Sequence, residues 1–440
     1  MNREPIRPAL RQNGRGSRFK EGHMRNLIAV MIVTAFMLVA VSGCTTAVES
    51  GVVSAAATPA HGDKSAAPDE ELVAAINEFG FDLLQETSAE GENTIVSPFS
   101  VATALSMTHA GARGMTAEEM AEVLHVSGME PERLHKSWAD LLASSLSEDA
   151  ATLRIANSLW ADEGAPFETE FLDVNRNNFG AEIRTLDLQA PGAADEVNSW
   201  VSEQTEELIP EIVDEFDNAA VMELVNAIYF LGDWELPFEA EATRDETFTL
   251  ANGDEIDVPM MHAFESWQYA DSIDYQAVRM AYEGGTHAAY VIVPRDASTW
   301  ELLEDTDAAH LQVMRERMEE QDGSVTMPVF ELEWGDDLAA PLEQMGMASA
   351  FGSAADFSGI SRELAEFPGL NISHVQHKTY LRVDEEGTEA AAATSVGVGA
   401  MSVAPATEPF ELRADKPFIF ALMDEQSGTL LFLGVIADPR

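Results

Sequence analysis

Apolar side chains recur at helical spacing through Leu72, Ile76, Phe79 and Leu83, directly behind Pro68 and Asp69, and predict a first helix opening there. Further helices are predicted from Ser100 to Gly111 and from Thr116 to Leu124, the second with Thr116-Ala-Glu-Glu119 as its capping box. In the second half the period changes. Tyr290 to Val293 is an unbroken apolar run of the kind that forms a buried strand. The chain ends in two such runs, Phe418 to Met423 and Leu430 to Ile436, joined by a turn from Asp424 to Gly428. Helices first and antiparallel strands later predict an α+β fold. No repeat or second linker interrupts the sequence after Pro68, so residues 68–440 are expected to form one large domain with several sheets.

Between Val383 and Ser402 the residue types are those of a loop, yet the order is that of a strand. If Thr388 faces inward, so do Ala390, Ala392, Thr394, Val396, Val398 and Ala400, while Glu389, Ser395, Gly397, Gly399 and Met401 face out. Every inward side chain is small or β-branched, so the segment has the shape to slip between two existing strands without displacing a packed core. Taken alone, the same residues also read as a flexible Ala/Gly linker, because glycine weakens a strand.

Ahead of the first helix, Arg3, Arg7, Arg11, Arg15, Arg18, Lys20 and Arg25 precede an apolar run from Leu27 to Val41, too short to span a bilayer comfortably. The run ends in Val41-Ser42-Gly43-Cys44, which resembles the lipobox of bacterial lipoproteins, and Cys44 is the only cysteine in the chain. Residues 1–43 are expected to be a signal peptide, with Met24 an alternative start, and Cys44 the lipidated first residue of the mature chain. Thr45 to Ala67 is rich in Ala, Ser and Thr without apolar periodicity and reads as a flexible tether. The domain is therefore expected outside the cytoplasm, and a lone cysteine leaves its stability to the core and not to disulfides.

The 440 residues include 77 acidic and 25 basic side chains, a formal charge of −52 at pH 7. Such a surface repels phosphate backbones and anionic headgroups, which argues against nucleic-acid partners and electrostatic membrane docking. Disorder is excluded by 46% apolar content in patterned runs. Lysine occurs only at Lys20, Lys64, Lys136, Lys378 and Lys416, a scarcity that, with the acidity, suggests adaptation to molar salt, where the Debye length is about 3 Å.

Four blocks, in order, resemble a known family. Asn93-Thr-Ile-Val-Ser97-Pro98-Phe99-Ser100, with Ala104 to Met107 and Gly111 to Thr116, is similar to the first signature of the serpins. Asn226 to Phe238, containing Trp234, resembles their central one. His377-Lys378 before Glu386-Gly387-Thr388-Glu389-Ala390 resembles the reactive-loop hinge, and Asp415 to Phe420 with Phe432-Leu433-Gly434 the C-terminal signature. The resemblance covers Pro68 to Arg440. It implies N-terminal helices, a large central, mostly antiparallel sheet with further sheets, and an exposed reactive loop. It also implies a monomeric inhibitor that traps a serine protease as a covalent acyl complex, without a cofactor. In that reading Glu386, Gly387, Thr388, Glu389, Ala390, Ala391, Ala392, Ala393 and Thr394 are the hinge. Ser97, Ser100, Asn226 and His377 form a buried cluster beneath the opening sheet, and Trp234 sits where the hinge enters. Family spacing from Gly387 puts the scissile bond at Met401-Ser402, whereas counting back from Lys416 puts it near Ala406-Thr407; the loop carries extra residues on its C-terminal side. No Arg or Lys lies between Gly387 and Leu412, so elastase-, chymotrypsin- or subtilisin-like targets are expected over trypsin-like ones. A non-inhibitory binding or chaperone-type protein on the same fold is the alternative, motivated by Gly397, Gly399 and the lengthened loop.

Ser97 and Ser100 have no Gly-x-Ser-x-Gly elbow, which argues against a hydrolase built on them with Asn226 and His377. His374 and His377 would face opposite ways on a strand and are not read as metal ligands. The acidic clusters lack the alternating ligands and central glycine of a calcium loop.

Overall fold

The computed structural model of the chain describes residues 62–145, 152–216, 222–365, 370–388 and 408–440. The first expected helix is α1 (Glu70–Thr87). Asp69 caps it by accepting the Glu71 N–H at 3.2 Å, and Leu72, Ile76, Phe79 and Leu83 form part of its buried face. Helix α2 (Pro98–His109) begins two residues before the predicted Ser100. Ser97 is its N-cap, accepting the Ser100 N–H at 3.2 Å, and Pro98 takes the first helical position, where no N–H is needed.

Helix α3 (Gly114–Val123) corrects the sequence reading, because Thr116 lies inside it and caps nothing. The Thr116 hydroxyl accepts the Asp356 N–H at 2.9 Å and Glu119 accepts the Ser349 N–H at 2.7 Å, so the expected capping box instead ties α3 to the 349–356 segment. Helices α4 (Pro131–Ser145), α5 (Thr169–Asn178) and α6 (Ala193–Gln204) follow. The Asp63 N–H donates to Asp140 of α4 at 2.9 Å, so the last residues of the stretch before α1 run against α4.

A nine-stranded sheet contains, in spatial order, β1 (Thr94–Val96), β15 (Thr429–Ile436), β14 (Phe418–Asp424), β8 (His287–Pro294), β7 (Tyr275–Ala281), β6 (Glu255–Asp271), β9 (Glu319–Pro328) and β13 (Phe410–Arg413). Strand β5 (Arg244–Thr249) pairs with β6 off this path. The C-terminal hairpin β14–β15 forms as expected, and every one of its strand residues is buried. Asp424 fixes its turn: its carboxylate accepts from the Ser427 hydroxyl at 2.7 Å and the Gln426 N–H at 2.9 Å, and Gly428 takes the left-handed conformation with φ 78°.

The second sheet positions the site. Its order is β10 (Phe330–Asp337), β11 (Gln376–Val383), β12 (Gly387–Thr388), β4 (Met222–Asp233), β2 (Thr152–Asp162) and β3 (Glu182–Leu186). Strand β12 is antiparallel to both neighbours, so β11 and β4 run parallel to each other. It is only two residues long, and beyond it no ladder joins β11 to β4 among the described residues. Beneath this sheet lies the main core. On its other face a smaller core packs Trp160, Val225 and Ala227 against Val197, Trp200 and Val201 of α6 and against Ile209, Ile212 and Val213. The chain from Thr205 to Phe216 is thus a strap held on the outer face of β2 and β4.

Candidate functional site

The hinge begins with a turn made by Asp384. Its carboxylate accepts the N–H groups of Glu386 and Gly387 at 3.0 and 3.3 Å, and its own N–H donates to the Gly387 carbonyl at 2.9 Å, so the chain reverses directly after β11. Gly387 is required there by close approach: a Cβ would lie 2.1 Å from the Gly232 carbonyl oxygen. Trp234 reads this turn from the side. Its backbone N–H donates to Glu386 at 2.8 Å and its indole N–H to Asp384 at 3.0 Å, while its ring stacks on Tyr282 at 4.3 Å. Thr388 enters between Val383 of β11 and Gly232 of β4, and its hydroxyl shares a 2.6 Å hydrogen bond with Tyr282. Burial pushes the Tyr282 phenol far above its ordinary range, so it stays protonated and able to donate.

Farther along the same opening, α2 meets both strands. The imidazole Nε2 of His377, on β11, accepts the Ser97 N–H at 3.0 Å. Ser100, one turn on, hydrogen-bonds Asn226 of β4, whose amide donates to Asn157 of β2 at 2.5 Å. Ser97, Ser100, Asn226 and His377 are all buried, as expected, but the two strands are joined through the N-terminus of α2 and not to each other. Such an arrangement ties β11 and β4 to α2 through side chains, so parting the two strands would break no ladder between them among the described residues.

Because Nε2 accepts, the His377 proton is on Nδ1, and burial lowers its pKa to about 3. The sign of the linkage follows. The unfolded imidazole takes up a proton below about pH 6.5 and the folded one does not until about pH 3, so stability is lost as pH falls through that window. At pH 5 the loss is about 2 kcal/mol. His377→Gln is expected to flatten the pH dependence of the denaturant midpoint between pH 7 and 5. Burial also lowers His109 and His135, which titrate in the same sense but are common to both proteins, so an unchanged slope would contradict the assignment.

His374 precedes β11 instead of lying on it, and its Nδ1 pairs with Asp337 at 2.7 Å, away from His377. Glu386, Gly387 and Thr388 are the described part of the expected hinge. Glu389, Ala390, Ala391, Ala392, Ala393 and Thr394, both candidate bonds (Met401-Ser402 and Ala406-Thr407) and Cys44 lie outside the described residues. Sequence reasoning missed Tyr282, Asp384 and Asn157. Asp384 carried a signal, since Asp before Glu-Glu-Gly is a turn initiator. Tyr282 and Asn157 carried none, because each is brought in only by strand register.

The sheet thus holds the first residues of its own loop between two strands that no ladder joins beyond them among the described residues. Comparison with known proteins gives this arrangement its family. The model described as Serpin (serine protease inhibitor) matches residues 74–439. An uncharacterized serpin-like protein of Thermococcus kodakarensis is 37% identical over 379 residues, 84% of this chain and 87% of that one. The leukocyte elastase inhibitor of Sus scrofa is 35% identical over 388 residues, 84% of this chain and all of that one. Among solved structures, the thermophilic serpin tengpin in its native state is similar with a TM-score of 0.78 at 27% identity, covering 87% of this chain and 97% of tengpin. The chain belongs to the serpin family.

Proposed function

We propose that this protein inhibits serine endopeptidases as a suicide substrate. The observation that carries the reading is Thr388, already seated between β11 and β4, with no ladder joining those two strands beyond it among the described residues. Strand addition and the release of stored strain by loop insertion are standing properties of serpins, and what this chain contributes is the register. Carried on past Thr388 into an inserted strand, it would set Ala390 between Leu381 and Phe230, Ala392 between Thr379 and Ile228, and Thr394 between His377 and Asn226. All six of those strand residues are buried, so only small side chains fit opposite them.

The chemistry begins when the protease serine Oγ attacks the Met401 carbonyl carbon. The Met401–Ser402 peptide bond breaks, Ser402 leaves as a free amine carrying the proton, and an ester links Met401 to the enzyme. Insertion of the freed strand then carries the enzyme away from its starting place before water reaches the ester. The absence of Arg and Lys from the loop and the likeness to a leukocyte elastase inhibitor support elastase- or subtilisin-like targets. The lipobox-like Val41 to Cys44 supports a chain tethered outside the cytoplasm through a lipidated cysteine.

Incubation with elastase and with subtilisin is expected to give a covalent complex of summed mass that survives boiling in detergent. Cleavage of the loop by both enzymes with full recovery of their activity would instead support a non-inhibitory protein on the same fold.

A further inference from the structure

At the end of the gap away from Trp234, the structure contains a cavity of about 1310 Å³, larger than the roughly 300–1,000 Å³ of ordinary ligand sites. Its floor is apolar, formed by Val101, Ala104 and Leu105 of α2 with Ile360, Leu370 and Ile372. Its rim carries the opposite chemistry. The strap contributes Glu211, Asp214 and Glu215, all exposed and none in an ion pair among the described residues. The one lysine on the lining, Lys378, is engaged by Glu333 at 2.5 Å and by the Glu211 carbonyl at 3.2 Å.

A third feature comes from the wall. His377 lines the cavity, is only 4% exposed, and spends its Nε2 on the Ser97 N–H, which leaves the Nδ1 proton with no acceptor among the described residues. A donor on the wall of an open cavity can give its proton to an acceptor on whatever fills that cavity. No group of three or more metal-ligating side chains occurs among the described residues, and the free carboxylates are spread along the strap instead of converging. The chemistry is therefore that of an organic guest and not of a metal ion.

We propose that this cavity binds an amphiphilic organic cation: an apolar body on the α2 floor, a hydrogen-bond acceptor against His377 Nδ1, and an ammonium or amidinium head among Glu211, Asp214 and Glu215. The bound cation occupies the space that Thr394 to Val398 take when the loop inserts, so it slows insertion and lets the acyl-enzyme hydrolyse. That regulatory consequence rests on the inhibitory reading above; the binding itself does not.

The test uses the full mature chain and dansylcadaverine, whose sulfonyl supplies an acceptor and whose primary amine is charged, in 1 M KCl so that bulk surface charge is screened. Fluorescence polarization is expected to saturate with intact protein and to weaken at least tenfold for the uncharged N-acetyl probe. The same loss is expected for the combined variant Glu211→Gln, Asp214→Asn, Glu215→Gln, whose side chains are exposed. Binding should vanish once the loop has been nicked and inserted. Equal affinity for the acetylated probe or for the triple variant overturns the site. So does undiminished binding to nicked protein whose melting temperature has risen. If nicking leaves the melting temperature unchanged, the insertion reading fails alone, and the probe and variant comparisons on intact protein still decide the site.

Discussion

On the proposed mechanism, Thr394→Arg is expected to turn the protein from inhibitor into plain substrate, lowering the yield of covalent complex at least tenfold while the loop is cleaved as fast as before. In the proposed insertion, the register of Thr388 carried six residues on would set residue 394 between His377 and Asn226, over the buried N-terminus of α2. An arginine there, facing α2, must enter among groups that are all neutral: the His377 imidazole, the Ser100 hydroxyl and the Asn226 and Asn157 amides, none of which can pair with it. The effective cost of burying an unpaired charge is several kcal/mol, and each 1.4 kcal/mol on the insertion barrier is about a tenfold change in rate. Insertion then stalls and deacylation wins. Cleavage itself is spared, because residue 394 lies seven positions before Met401. Ser395→Arg is the matched control, since position 395 faces outward in the same register. Equal loss in both variants would show that the alternation does not govern insertion.

Salt gives the second large effect. If the expected signal peptide, residues 1–43, is removed, 7 basic and 2 acidic groups go with it and a formal charge of −57 remains. Several of the few cations are already committed: Arg279 and Arg315 hold Glu425, and Arg244 and Arg413 hold Glu246. Such pairs are each worth roughly 1 kcal/mol or less near the surface, so the salt that weakens them gives up little. The excess carboxylates repel one another in proportion to the unscreened charge, and that term dominates. The melting temperature of the intact protein is expected to rise by tens of degrees between 0.1 and 3 M KCl. A value independent of salt over that range would contradict the argument.

What the sequence revealed and what it hid divide along a physical line. The first helix and the C-terminal hairpin were legible because hydrophobic period and turn chemistry act within a few residues, as at Asp69 and Asp424. The motif at Thr116-Ala-Glu-Glu119 had the right spacing for a cap, but tertiary partners at Asp356 and Ser349 claimed both side chains. The same kind of motif does cap a helix at Ser298 and Glu301, opening α7 (Thr299–Glu304). Spacing alone cannot separate the two cases, because the competing donors lie more than 200 positions away. In the site, the small-residue alternation and the four family blocks pointed to the hinge and to Ser97, Ser100, Asn226 and His377. The bridge from β11 to β4 through α2, and the meeting of Tyr282 with Thr388, depend on strand register and could not be read from local pattern.

The claim that organises the whole account is that the gap between β11 and β4 receives the loop. Limited proteolysis between Gly399 and Thr407, followed by thermal melting in 3 M KCl, tests it without any target enzyme. Some ten residues passing from solvent into two ladders at once add on the order of 10 kcal/mol, which for a domain of this size predicts a melting temperature higher by roughly 10–15 °C in the nicked protein. Nicked and intact protein melting at the same temperature would mean that the loop stays outside the sheet, and the inhibitory mechanism proposed for this chain would be wrong.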